Sequence, residues 1–123
     1  MAYEVVRAAD VARDLDLIFD FLVAAAEDLG ESEQRAFSRA EERLTEIEAG
    51  MADLGRVPHQ GTRRPQLGGG VRNVTKGRAI YYFDVDDVRR TVRILAVFFG
   101  GQDHEARILL RLLSRSRGAQ PET

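Results

Sequence analysis

The chain has 123 residues, 44% of them hydrophobic and 31% charged, enough for one domain with a real core and too few for two. It has no cysteine and two histidines, His59 and His104, which excludes disulfides, thiol chemistry and Cys-ligated zinc and leaves neither a metal site nor a cofactor to expect. The net charge of −2 divides unevenly: residues 1–55 hold 5 Lys+Arg against 14 Asp+Glu, a net of −9, and residues 56–123 hold 13 against 6, a net of +7.

Tyr3–Arg7 is a short β-rich run and predicts a strand. Asp10 then offers a side-chain oxygen to cap a helix. Leu15, Ile18, Phe19, Leu22, Ala26 and Leu29 recur at helical spacing on one face. Gly30 suits the left-handed position that ends such a helix. Ser32 can cap the next, with Glu33 favourable in its first turn. There Phe37, Ala40, Leu44, Ile47, Met51 and Leu54 form a narrow stripe of the kind that seats one helix along another. The link between the two is short enough to force an antiparallel hairpin, and Gly50 is placed to bend or end the second helix.

Residues 55–70 carry five glycines and two prolines and predict a loop, where the periodicity changes from helical to alternating. Val71–Thr75 predicts a strand, Lys76-Gly77 a tight turn, and Arg78–Val85 a second strand. Asp86–Arg90 is a polar turn. Thr91–Phe99 is an unbroken β-branched and aromatic run, the pattern of a strand covered on both faces. Glu105–Ser116 predicts a last helix, with residues 1–117 as one domain and 118–123 as a disordered tail. Burying the apolar face of the strands against the helix stripe gives an α+β domain in which a two-helix hairpin packs on the sheet. Tyr81 and Tyr82 alternate on their strand, so one faces the hairpin and the other faces away. No apolar run approaches the roughly 20 residues of a membrane helix. The start, Met-Ala-Tyr-Glu-Val, lacks the basic-then-apolar pattern of a signal peptide, so a cytoplasmic protein is expected.

Several strings in this order resemble the RelE/ParE toxin superfamily. They are Ala8-Ala9-Asp10-Val11-Ala12-Arg13-Asp14-Leu15, Leu54-Gly55-Arg56-Val57-Pro58-His59-Gln60-Gly61, Gly70-Val71-Arg72-Asn73-Val74, Ile80-Tyr81-Tyr82-Phe83 and Arg93-Ile94-Leu95-Ala96-Val97-Phe98-Phe99-Gly100. The resemblance covers about residues 3–112. The resemblance implies a mainly antiparallel four-stranded sheet against the hairpin, with a short C-terminal helix. It also implies the toxin half of a type II toxin–antitoxin pair, neutralised by a cognate ParD-like antitoxin. RelE-like members cut mRNA on the ribosome; ParE-like members poison DNA gyrase.

The nuclease reading needs cations for the phosphate and a proton donor or acceptor, for which this chain offers Arg72, Arg78 and His104. After the last strand the nuclease pattern expects a basic residue, and the sequence instead reads Gly100-Gly101-Gln102-Asp103-His104, with no tyrosine at the farther aromatic position. His104 also reads as a helix-start residue beside a capping Asp103. A sequence pI near 5.7 runs against a ribosome-binding nuclease. The glycines at 68–70 lack the phosphate-loop spacing and precede a strand. The ParE-like reading therefore leads, with gyrase as target and no direct contact with nucleic acid. The candidate target-facing cations are Arg63, Arg64, Arg72, Lys76, Arg107 and Arg111. Leu17, Phe21 and Ala24 lie off the main stripe of the first helix and, with Ile108 and Leu112, are the candidate antitoxin contacts. Arg107, Arg111 and Arg115 recur every four residues as a basic ridge on the last helix. The charge division reads either as a solvated helical face or as a basic working surface.

Overall fold

The computed structural model describes residues 2–100 and 104–119, with side chains of the last helix as far as Ser114. The elements run β1 (Glu4–Arg7), α1 (Val11–Asp28), α2 (Glu33–Arg56), β2 (Thr62–Arg63), a single 3₁₀ turn (Pro65–Leu67), β3 (Val71–Lys76), β4 (Ala79–Asp86), β5 (Thr91–Phe99) and α3 (His104–Ala119). The fold class is α+β as expected, but the sheet has five strands, in the order β1-β5-β4-β3-β2. The additional strand is Thr62–Arg63, paired antiparallel to Asn73 and Arg72. Two residues inside a Gly/Pro-rich stretch carry no strand periodicity, so the sequence read them as loop. The β2, β3, β4 and β5 pairings are antiparallel, and β1 joins β5 in parallel.

The helix ends follow local chemistry. Ser32 Oγ accepts the Arg35 N–H, the N-cap bond its position predicts. Gly30, at φ 97°, closes α1 with Gly30 N–H on the Glu27 carbonyl and Glu31 N–H on the Ala26 carbonyl, a reverse turn that a side chain at that φ would strain. Asp10 does not cap α1 through its side chain. Its backbone is already helical, at φ −74° and ψ −12°, whereas a capping side chain needs an extended residue to reach back to the N2 or N3 amide. Leu29, expected on the buried stripe, is instead the exposed C-cap of α1, and Phe37 is half-exposed against Phe19.

Gly50 does not end α2, which continues to Arg56. A Cβ at Gly50 would lie 2.3 Å from the Tyr81 hydroxyl, and that hydroxyl donates to the Ile47 carbonyl at 2.9 Å. The glycine is there to let a tyrosine of the sheet reach the helix backbone.

Apolar packing occupies both faces of the sheet. On the hairpin side, Leu15, Ile18, Ile47, Met51 and Leu54 meet Tyr81, Phe83, Val92, Ile94, Val97 and Phe99. Each such side chain contributes roughly 1.5–3 kcal/mol by leaving water. On the other side, Ile80, Tyr82, Leu95, Ala96 and Phe98 pack under Ile108. The molecule thus has three layers: hairpin, sheet and α3.

A bulge in β5 shifts its alternation partway along the strand. Tyr82 pairs with Ala96 and Phe83 with Ile94, which leaves Leu95 as the extra residue. Leu95 and Ala96 both point to the α3 side, and the alternation restarts one residue out of phase. Thr91–Phe99 therefore buries residues on two faces, as its unbroken apolar run implied. Tyr81 faces the hairpin and Tyr82 faces α3, and both are buried. Among the described residues no helix is long and apolar enough to cross a membrane.

Candidate functional site

α1 explains the best-built feature of the surface. Its buried face carries Val11, Leu15 and Ile18, and among them Asp14, which is 3% exposed. A carboxylate in such a stripe must find a cation or donors. Asp14 finds both. Arg111 of α3 grips it in two parallel bonds, both 2.7 Å, and the Val97 N–H donates to Oδ2 at 3.0 Å. Arg111 also donates to the Leu95 carbonyl at 3.3 Å, and its Nε lies 3.8 Å from Asp10. β1 pairs with β5 only as far as Ile94, so the ion pair satisfies the bulged edge of β5 where the neighbouring strand runs out. The carboxylate pushes the Arg111 pKa up further.

Arg111, read from the sequence as part of a basic ridge and as a target-facing cation, turns inward: a carboxylate 97 residues earlier in the chain draws it there. The Arg115 side chain lies outside the described residues, as do Asp103, the expected cap of α3, and residues 120–123 of the expected tail. The sequence signal for the pair was Asp14 itself, a charge set within the apolar period of α1.

Beside this pair α1, α3 and β5 border a cleft of ≈ 380 Å³, whose rim includes Leu17, Phe21 and Leu110. Leu17 is 56% exposed and Phe21 47%. Ala24 is exposed a turn beyond them. The other two expected partner contacts sit differently. Ile108 is 1% exposed and packs on the sheet, and Leu112 is half-buried beside it. Ile108 is not free to meet a partner while α3 lies on the sheet, and Leu112 offers only part of its surface. Leu109, Leu110 and Leu113 are the exposed apolar residues of α3.

The three candidate nuclease residues are not brought together. Arg72 pairs across the sheet with Phe83 and so points to the hairpin side, where its guanidinium donates to the His59 carbonyl at 2.9 Å. Arg78 lies in the β3–β4 turn rather than on a strand, its guanidinium 5.3 Å from the Phe99 ring centroid. His104 opens α3 on the opposite face of the sheet, with Nδ1 2.7 Å from the Tyr82 hydroxyl.

The other cations are mostly engaged. Lys76 donates to Asp53 at 2.8 Å. That bond, with a second from Arg56, holds the Asp53 carboxyl down at about 2. Arg64 lies on the α3 side, with Nε donating to Asn73 at 3.2 Å and the guanidinium 4.0 Å from Glu105. Arg107 sits over Phe98, 6.0 Å from its ring centroid. Arg63 is exposed. At its end of the sheet, Asp87 accepts from the Tyr3 hydroxyl at 2.8 Å and lies 2.7 Å from His59 Nε2, contacts that lower its pKa.

No family model matches the sequence, and no curated protein is similar enough to count as a relative. Solved structures do match. A chain from the chromosomal ParDE toxin–antitoxin system of P. aeruginosa aligns with a TM-score of 0.62 at 24% identity, over 81% of this chain and 98% of that one. A mutant of the E. coli toxin RelE in the free state aligns with a TM-score of 0.58 at 9% identity, over 94% and 98%. This chain therefore has the fold of the RelE/ParE toxins.

Proposed function

We propose that this chain is the toxin of a type II toxin–antitoxin pair, acting in the bacterial cytoplasm by a ParE-like route. In this reading it arrests growth by binding DNA gyrase, and a ParD-like antitoxin neutralises it. The fold shared with a chain of a ParDE system supports the class. The choice of a binding poison over a nuclease rests on the dispersal of Arg72, Arg78 and His104 to two faces and a turn. In-line cleavage of RNA needs its cation and its proton-transfer groups within hydrogen-bond reach of one phosphate. Arg72 and His104 stand on opposite sides of a packed sheet.

The cleft between α1 and α3 suits an amphipathic segment of the antitoxin. Leu17 and Phe21 are one helical turn apart and half-exposed, the presentation that a helix-in-groove partner uses. Expression without antitoxin is expected to stop growth and induce the DNA-damage response. The purified protein is expected to inhibit supercoiling by gyrase or to trap cleaved DNA. Ribosome-bound mRNA cut at defined sites, with supercoiling untouched, would replace this reading with the nuclease one. In that case Arg72→Ala is expected to abolish cleavage without unfolding the protein.

A further inference from the structure

We infer that the β2–β3 end of the sheet holds an oxyanion site, built from Arg63, Arg72 and the backbone of Gly69 and Gly70, for a phosphate group. The register is the first reason. Arg63 and Arg72 are direct partners across the β2–β3 pair. The Arg64 N–H bonds the Val71 carbonyl, which makes 64/71 the hydrogen-bonded pair and Arg63/Arg72 the adjacent non-bonded one. Side chains come closest at such positions, roughly 4.5–5.5 Å between Cβ atoms. Two like charges set directly opposite destabilise a sheet, and an anion between them reverses the sign.

The donors are the second reason. Arg72 spends one N–H on the His59 carbonyl and keeps the rest of its fork. The Arg63 guanidinium has no hydrogen-bond or ion-pair partner among the described residues. The peptide N–H groups of Gly69 and Gly70 likewise have no acceptor there, although their neighbours Gly68 and Val71 donate to Pro65 and Gly68. Consecutive free amides beside cationic side chains are the components of an anion-binding concavity. All four residues line one cavity of ≈ 230 Å³, together with His59, Val71, Val85 and Asp87.

Asp87 is the one carboxylate among the lining residues, and it already accepts from Tyr3 and lies against His59. Asp84 Oδ1 also lies against Gly70, so the two carboxylates balance Arg63 and Arg72, and the case for an anion rests on the open donors. A tetrahedral phosphate offers enough acceptors to take both guanidinium forks and the two amides together, which a single carboxylate does not. The site stands apart from the α1–α3 cleft and does not depend on the gyrase reading.

The test is a titration of the full chain with inorganic phosphate, followed by amide NMR. Saturable shifts are expected at Gly69, Gly70 and Arg63. In Arg63→Gln the affinity should fall at least about tenfold while the rest of the spectrum stays as it was. The Arg63 side chain is exposed and makes no hydrogen bond or ion pair among the described residues, so this variant separates binding from folding. Shifts that do not saturate, or an unchanged affinity in Arg63→Gln, would overturn the site. A short single-stranded RNA then identifies the source. Displacement of phosphate, lost in the same variant, assigns the site to a nucleic-acid backbone. Failure to displace assigns it to free phosphate or a small phosphorylated ligand. Saturation at the same amides by an acidic peptide but not by phosphate would refute the phosphate assignment.

Discussion

Gly50 and Tyr81 show how one residue's identity can be set by an atom on another element. Alanine is the better helix former by roughly 1 kcal/mol, yet its Cβ would collide with the Tyr81 hydroxyl. Gly50→Ala is therefore expected to destabilise the protein by about 1–3 kcal/mol, the usual cost of overpacking. In Gly50→Ala/Tyr81→Phe most of that loss should return, because the hydroxyl that collides is gone. Chemical denaturation of the two single variants and the double would show the coupling.

The same tyrosine gives a pH signature. Burial pushes the Tyr81 pKa up from its ordinary value near 10 to about 12. The unfolded chain then ionises first. Its contribution to stability is complete below pH 10 and is lost as the pH rises from 10 through 12. Denaturation midpoints at pH 9 and pH 11.5 should differ more for the natural protein than for Tyr81→Phe. At this scale the sequence was informative about Tyr81 and Tyr82, since alternation alone divided them between faces. It misjudged Gly50, because helix propensity contains no information about a hydroxyl arriving from a strand 31 residues later.

At the scale of elements, the Asp14–Arg111 pair decides where α3 lies. The pair bonds α1, β5 and α3 at once. Asp14→Ala should cost about 3 kcal/mol, at the low end for removing one partner of a buried ion pair, because Arg111 keeps some contact with water. Asp14→Asn keeps an acceptor for the Val97 N–H and is expected to cost less. Trypsin should cut α3 of Asp14→Ala faster than that of the natural protein, and equal rates would show that the pair does not hold the helix. The helix and strand limits were largely legible: Ser32 and Gly30 act through their own backbones, and Thr91–Phe99 needs no partner to be read. Thr62–Arg63 and the inward turn of Arg111 were not, because each is made by contacts far away in the chain.

For the whole molecule, three layers leave one half-exposed apolar rim, at Leu17, Phe21 and Leu110. If the antitoxin docks there, Leu17→Glu and Phe21→Glu should keep the fold and the growth arrest but weaken neutralisation. Co-expression with the antitoxin would then fail to rescue growth, and co-purification would fall at least about tenfold. Rescue at the natural level would place the antitoxin elsewhere. The candidate partner surface was half legible. Leu17 and Phe21 stood out as an excess of apolar residues on α1, whereas Ile108 and Leu112 fitted a sheet-covering face of α3 as well as a partner surface, and they pack on the sheet.

The parallel pairing of β1 with β5 also orders events in time. Glu4 meets Thr91 and Arg7 meets Ile94, so β1 has no sheet neighbour until β5 has been made. Closing so long a loop is slow compared with forming the hairpin or the β3–β4 turn. A nascent chain halted before Thr91 could assemble its two helices and the β3–β4 hairpin but would lack the strand that joins them to β1. The parallel edge of the sheet therefore forms only after β5 has been made.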